Sequence, residues 1–173
     1  MTSIIGIMKR LDESDAKRLE AAGAWLHLGN ALEANKELDE ITAGHRSHPD
    51  VLVLRLEVYC RLEKWEGALH ILNALIAHKR DRITFWIQKS QILHKQGRIS
   101  DSHENLRLAR ESRPWPIDDL FDLAIEAQKL GSPKEAFACV QDGVGRPGFQ
   151  QLKNLALATD SLSAIHLQIK TLD

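Results

Sequence analysis

The feature that most constrains this chain is a pattern that recurs every 34 residues. Four successive units align without a gap, and they begin at Asp15, Pro49, Ile83 and Ile117. One column of this alignment holds residues suited to a turn, namely Gly29, Glu63, Gly97 and Gly131. A repeat of this length is typical of architectures in which each unit is one supersecondary element that packs on its neighbours.

Small and apolar residues occupy the other columns at helical spacing. Before the turn the columns read Ala22, Leu56, Ser90, Ala124 and then Trp25, Tyr59, Leu93, Ala127. After it they read Ala34, Ala68, Ser102, Ala136, then Leu38, Leu72, Leu106, Val140, and last Ile41, Leu75, Ala109, Gly143. Because residues three or four apart share one helical face, each unit predicts two antiparallel helices joined by the turn. Glycine can end the first helix in the left-handed conformation, whereas Glu63 should close its turn less comfortably.

The composition agrees with an all-α protein. Aromatic residues make up only 5% of the 173 residues, and 43% hydrophobic content is sufficient for the core of one globular domain. The net charge of -1 argues against nucleic acid or anionic lipid as a partner. The start, MTSIIGIMKR, places its apolar run before its positive charges, the reverse of a secretory signal, and no apolar stretch could span a membrane. We therefore predict a cytoplasmic protein, with Cys60 and Cys139 as free thiols.

This pattern resembles the tetratricopeptide repeat (TPR), a helix–turn–helix unit of the same length. Trp86 occupies the family's tryptophan column and Pro114 its terminal proline column. The resemblance implies an all-α solenoid of about four antiparallel helix pairs, stacked into a right-handed superhelix with a capping C-terminal helix. The predicted parts are an N-terminal apolar segment or cap (1-14), four repeats (15-48, 49-82, 83-116, 117-148) and a C-terminal cap (149-173). A short apolar face in the first part could pack on the first repeat or dock a partner, a second copy included; its residues are Ile4, Ile7, Met8 and Leu11.

In TPR proteins the first helices line a groove that receives a partner segment, so the resemblance implies candidate binding residues. An apolar column comprises Leu19, Val53, Ile87 and Phe121. Polar candidates are Glu57, Gln91, His94 and Gln128, and a basic column comprises His27, Arg61, Lys95 and Lys129. A suitable partner is a protein or peptide with apolar anchors and acidic groups. The lysine and asparagine residues that clamp chaperone tails in one TPR subclass are missing from their columns, which argues against such tails.

No catalytic motif, phosphate-binding loop or zinc-finger spacing occurs in the sequence, so we predict a non-enzymatic adaptor, scaffold or assembly chaperone without a cofactor. The alternative is a helical-repeat enzyme or metal-dependent regulator with a site around His45, His48 and Asp50. Trp115, which lies between two prolines, could cover the joint between repeats or form an exposed aromatic contact. A homo-oligomer is compatible with all of these interpretations.

Overall fold

The computed structural model describes residues 10–78 and 82–150, and within these ranges it contains eight α-helices and no strand. The helices are α1 (Glu13–His27), α2 (Ala31–Asp39), α3 (Pro49–Arg61), α4 (Trp65–His78), α5 (Ile83–Lys95), α6 (Ile99–Glu111), α7 (Ile117–Lys129) and α8 (Pro133–Gly143). A short 3-10 helix, Ala43–His45, follows α2. The all-α prediction is confirmed. The predicted C-terminal cap beyond Gln150 and the apolar residues before Arg10 lie outside the described ranges.

The helices follow one another as antiparallel pairs whose second members α2, α4, α6 and α8 start at a constant step of 34 residues. The chain forms two compact units, Met1–Leu75 (unit 1) and Ile76–Asp173 (unit 2), where the length predicts a single domain. In unit 1, α1 packs on α2, and α3 packs on both of these helices. In unit 2, α5 packs on α6 and α7 packs on α8, while α7 also contacts α5 and α6.

The turn column ends the first helix of every pair in the left-handed conformation. Its φ angles are 80° at Gly29, 54° at Glu63, 74° at Gly97 and 75° at Gly131. Glu63 is the only residue other than glycine with a positive φ in the described ranges. Since a Cβ atom makes this conformation unfavourable, the α3–α4 turn is the strained member of the series, as the sequence predicts.

The small column lies where the two helices of a pair approach most closely. Ala34, Ala68, Ser102 and Ala136 are all fully buried, and so are the aliphatic residues one helical turn later. In the third repeat, where serine replaces alanine, the Ser102 hydroxyl donates to the Ser90 carbonyl oxygen at 2.9 Å. The Asn105 amide donates to the Trp86 carbonyl oxygen at 2.9 Å and to the Ser90 hydroxyl at 2.8 Å. These hydrogen bonds satisfy the two serine hydroxyls and the Asn105 NH2 group, whereas Oδ1 of Asn105 and Nε1 of Trp86 are buried without a partner among the described residues.

Trp115 covers the joint between α6 and α7. Its ring is buried, and its indole N–H donates to the Ala109 carbonyl oxygen at 2.7 Å. The Trp115 carbonyl oxygen in turn accepts from the Arg146 guanidinium at 2.8 Å. The structure therefore supports the first of the two roles considered for Trp115, that of a structural cover.

Candidate functional site

The first helices of unit 2, α5 and α7, are linked by a hydrogen bond between two polar side chains. The Gln91 amide of α5 donates to a Glu126 carboxylate oxygen of α7 at 2.9 Å. Gln91 is half-buried and Glu126 is buried. The other Glu126 oxygen lies 3.9 Å from the Lys129 ammonium group, so this carboxylate has a donor on each side. We call the surface around this bond the α5–α7 face.

Three polar atoms on α5 and α7 are buried without a hydrogen-bond partner among the described residues. They are Nε1 of Trp86, Nδ1 of His94 and Oε1 of Gln128. Trp86 is buried as a whole, whereas the side chains of His94 and Gln128 are half-buried. An unpaired buried polar atom costs about 1–3 kcal/mol, and a ligand could satisfy one of these atoms only by displacing the side chains that cover it. His94 and Gln128 were both predicted site residues.

A row of carboxylates runs along α7 toward the same bond. Asp118, Asp122 and Glu126 follow one another at intervals of four residues, which places them on one side of the helix; we call them the acidic stripe. Burial, followed by repulsion from Asp118, raises the pKa of Asp122 above its ordinary value, although Lys129 opposes the shift. Sequence analysis did not select these residues. The i, i+4, i+8 spacing of the carboxylates was the signal that could have revealed them.

The predicted apolar column differs in exposure between its members. In unit 2, Ile87 is half-buried, whereas Phe121 is only 5% exposed, and its ring centroid lies 6.0 Å from that of Phe149. In unit 1, Leu19 packs partly buried against the core, and Val53 is exposed. The sequence predicted that the whole apolar column is open to a partner. This prediction is wrong for Phe121, because Phe149 from the segment after α8 packs against its ring.

The predicted basic residues His27, Arg61, Lys95 and Lys129 are all exposed at the C-terminal ends of first helices. Arg61 pairs with Glu57, which is also exposed, at 3.4 Å on the same side of α3. Lys129 approaches the α5–α7 face through its 3.9 Å contact with Glu126. Cations at helix C-termini interact favourably with the helix dipole, so their position alone does not require a ligand.

The alternative metal site does not form as predicted. Among the described residues, His45 does not join His48 and Asp50 in one group of ligands: Nδ1 of His48 lies 3.7 Å from an Asp50 carboxylate oxygen, whereas Nδ1 of His45 groups with Asp12 and Asp15. His48 accepts a hydrogen bond from the Asp50 backbone N–H at 3.3 Å and begins α3. Asp12 likewise caps α1 by accepting from the Asp15 N–H at 2.8 Å. These hydrogen bonds account for the positions of the side chains without an ion.

Unit 2 also has a surface cavity of about 370 Å³ between α6 and the start of α8. Ser132 and Lys134 line it on one side, and His103 and Arg107 on the other. The Arg107 guanidinium is neutralised by Glu104 at 2.6 Å and by a second ion pair to Glu111. Its positive charge is therefore satisfied within the protein.

Comparisons with known proteins identify the fold. No family model matches the sequence, and no curated protein sequence matches it. MamA (41-end) from Desulfovibrio magneticus RS-1 superposes with a TM-score of 0.57 at 12% identity, over 94% of each chain. A second similar structure is a crystal structure of nearly identical TPR-like repeats from a putative kinesin light chain of Podosopora anserina, in a substituted form. It superposes with a TM-score of 0.53 at 16% identity, over 94% of each chain. A further crystal structure of these repeats superposes with a TM-score of 0.52 at 17% identity, over 91% of this chain and 90% of the other.

These similarities show that the chain has a TPR-like repeat fold, which confirms the predicted resemblance. No helix in the described ranges has the length and apolar character needed to cross a bilayer. The right-handed superhelix, the absence of catalysis and the cytoplasmic location stay predictions.

Proposed function

We propose that this protein is a non-enzymatic interaction module that binds a segment of a partner protein on its first helices. The observation that carries the proposal is the half-buried apolar pair Ile87 and Ile125 beside the hydrogen bond between Gln91 and Glu126 on the α5–α7 face. The side chains of Gln91, His94 and Gln128 are half-buried, so polar groups of a partner segment can pack against them. Protein segments bound in a helical groove offer such polar groups beside apolar anchors.

The charges around this face suggest which partner would fit. Ile87 and Ile125 are half-buried and offer an apolar contact between the two ends of the face. Lys129 at the C-terminal end of α7 favours a carboxylate, as predicted for the partner. Asp118 and Asp122 of the acidic stripe, toward the N-terminal end of α7, favour a cation, and an incoming cation would relieve the repulsion from Asp118 that adds to burial in raising the pKa of Asp122. We therefore propose a partner segment with an apolar centre, an acidic end and a basic end.

The proposal is tested by a pull-down from native-source lysate with immobilised wild-type protein and two isoleucine-to-glutamate variants. Ile87→Glu places a charge on the α5–α7 face, and Ile99→Glu makes the same change at an exposed position at the start of α6. Phe121→Glu is avoided because that side chain is buried and its loss would unfold the protein. Circular dichroism of both variants serves as the control for folding.

A partner retained by the wild type and by Ile99→Glu, but lost from Ile87→Glu, supports binding on the first helices. Charge reversal at Lys129 should then weaken that partner's binding and reduce its dependence on salt concentration. Equal retention by both variants would contradict the proposed site. Loss from Ile99→Glu alone would move the interface to the second helices.

A further inference from the structure

The turn between α1 and α2 exposes a group of large apolar side chains. Trp25, Leu28 and Leu32 are 38%, 73% and 64% exposed, and we call them the end patch. Elsewhere in the described ranges the large exposed hydrophobic residues are Val53, Ile99, Leu108 and Val144, which lie apart from one another in the sequence. Single apolar residues on a surface are ordinary, but adjacent ones usually mark a surface that something covers.

The repeat alignment shows what covers the equivalent positions in later repeats. In unit 1, Tyr59 and Leu62 correspond to Trp25 and Leu28, and both pack partly buried against a core cluster formed by the first helix pair together with α3. In unit 2, Ala127 and Leu130 correspond to the same two positions, and both are buried on a helix that packs against α6. The preceding helices contribute to this cover, together with the second helix of the same pair: the Tyr59 ring also lies against Gly67 of α4, and α7 also packs on α8. The first repeat has no preceding helix pair within the described residues.

We propose that residues 1–9 of the same chain occupy this position and cover the end patch. The segment contains Ile4, Ile5, Ile7 and Met8, so it carries apolar side chains that match the apolar character of the patch. It leads directly into Leu11, which already packs partly buried against the core of unit 1. The segment is therefore attached to the first repeat at the N-terminal end of α1.

The distances permit this arrangement. Nine extended residues span up to about 30 Å, whereas the rise of about 1.5 Å per residue along a helix places Trp25 about 18 Å from the start of α1. A segment that turns back along α1 can therefore reach the patch. Because the segment is covalently attached, its effective concentration at the patch is on the order of millimolar, which favours it over a free partner or a second copy.

The proposal is tested by acrylamide quenching of Trp25 fluorescence in the full chain. The Trp25 signal is obtained as the difference between each protein and its Trp25→Phe counterpart, because three other tryptophans also emit. The test variant combines Ile4→Ser, Ile5→Ser and Ile7→Ser. Its matched control combines Thr2→Ala and Ser3→Ala, which alter the same segment without removing apolar side chains. Sedimentation velocity reports the oligomeric state of each sample.

The expected result is that Trp25 becomes more accessible to acrylamide and its emission shifts to the red in the triple serine variant, while the control and wild type agree and every sample is a monomer. An unchanged quenching constant in a monomeric triple serine variant would overturn the proposal, because Trp25 would not be covered by the segment. Quenching that decreases with protein concentration, together with a faster sedimenting species, would assign the patch to a second copy instead.

Discussion

The Oδ2 atom of Asp15 lies 2.6 Å from Nδ1 of His45, and both side chains are buried. Asp15 is in the first turn of α1, and His45 is in the 3-10 helix after α2, so this contact joins the start of the first helix pair to its end. The other Asp15 oxygen accepts from the Thr42 backbone N–H at 3.1 Å. The hydrogen bond with His45, followed by that from Thr42, lowers the pKa of Asp15 below its ordinary value of 3.8, although burial opposes the shift.

This contact predicts a dependence of stability on acid. The folded state binds the Asp15 proton less tightly than the unfolded chain does, so the ionised carboxylate stabilises the fold above about pH 4 and loses this effect as the pH falls through the folded pKa. We expect Asp15→Asn to lower the urea midpoint near neutral pH and to approach the wild type as the pH falls below about 4.

The matched control is Glu20→Gln, a carboxylate-to-amide change at an exposed position on the same helix. Its unfolding curve should follow that of the wild type throughout the same pH series. If Asp15→Asn lowered the midpoint equally at all pH values, the ionisation of Asp15 would not be the source of the stabilisation.

The left-handed Glu63 predicts a stabilising substitution. Glu63→Gly should raise the free energy of unfolding by about 0.5–1 kcal/mol, because glycine adopts this conformation without the clash of a Cβ atom but loses more entropy on folding. Gly97→Ala is the reciprocal change in the third repeat, where a Cβ atom would meet no neighbour and only the conformation opposes it. It should lower stability by about 1 kcal/mol. Urea unfolding measures both changes, and a loss of stability in Glu63→Gly would contradict the strain.

The burial of Trp86 predicts a large loss on truncation. Trp86 is 9% exposed, and its carbonyl, which accepts from Asn105, is retained in any substitution, so the loss arises from packing. Trp86→Ala should lower the free energy of unfolding by roughly 3–5 kcal/mol. Leu108→Ala, at an exposed position on α6, should change it by less than about 1 kcal/mol. A Trp86→Ala protein that melts within about two degrees of the wild type would contradict this assignment.

The close approach of α7 and α8 at Ala136 predicts sensitivity to added volume. Ala136 is fully buried, so Ala136→Leu should cost roughly 1–3 kcal/mol by overpacking. Gln141→Leu places the same side chain at an exposed position on α8 and should change stability by less than about 0.5 kcal/mol. Thermal unfolding followed by circular dichroism measures both values. Equal melting temperatures for the two variants would show that the helices can move apart at little cost.

The helix pairs could be predicted from the sequence because the information they require is local. A glycine or glutamate in the turn column, followed five residues later by a small residue such as Ala34 or Ser102, marks a helix end and a close helix contact wherever it occurs. Repetition then strengthens each weak signal. For this reason the alignment located all four turns in the described residues, and even identified Glu63 as the strained one.

For the candidate site, the repeat alignment predicted which positions face the groove but not which residues contact one another. The alignment selected Gln91, His94 and Gln128, but not the hydrogen bond of Gln91 to Glu126, which depends on the neighbouring helix. It also predicted that Phe121 lies on an open surface, because an alignment of repeats does not include the contact with Phe149, which follows α8. The pairing of His45 with Asp15 instead of His48 has the same cause, since the two partners are 30 residues apart.

By itself, the sequence determined the length of the repeat, the positions of its turns and the small residues at its helix contacts. These features depend on backbone conformation and on side-chain volume, which a residue carries with it wherever it is placed. Only the tertiary structure decided which polar atoms found partners and which apolar side chains were covered. Hydrogen bonding and burial are properties of neighbours brought together from distant positions, and a column of one repeat does not contain those neighbours.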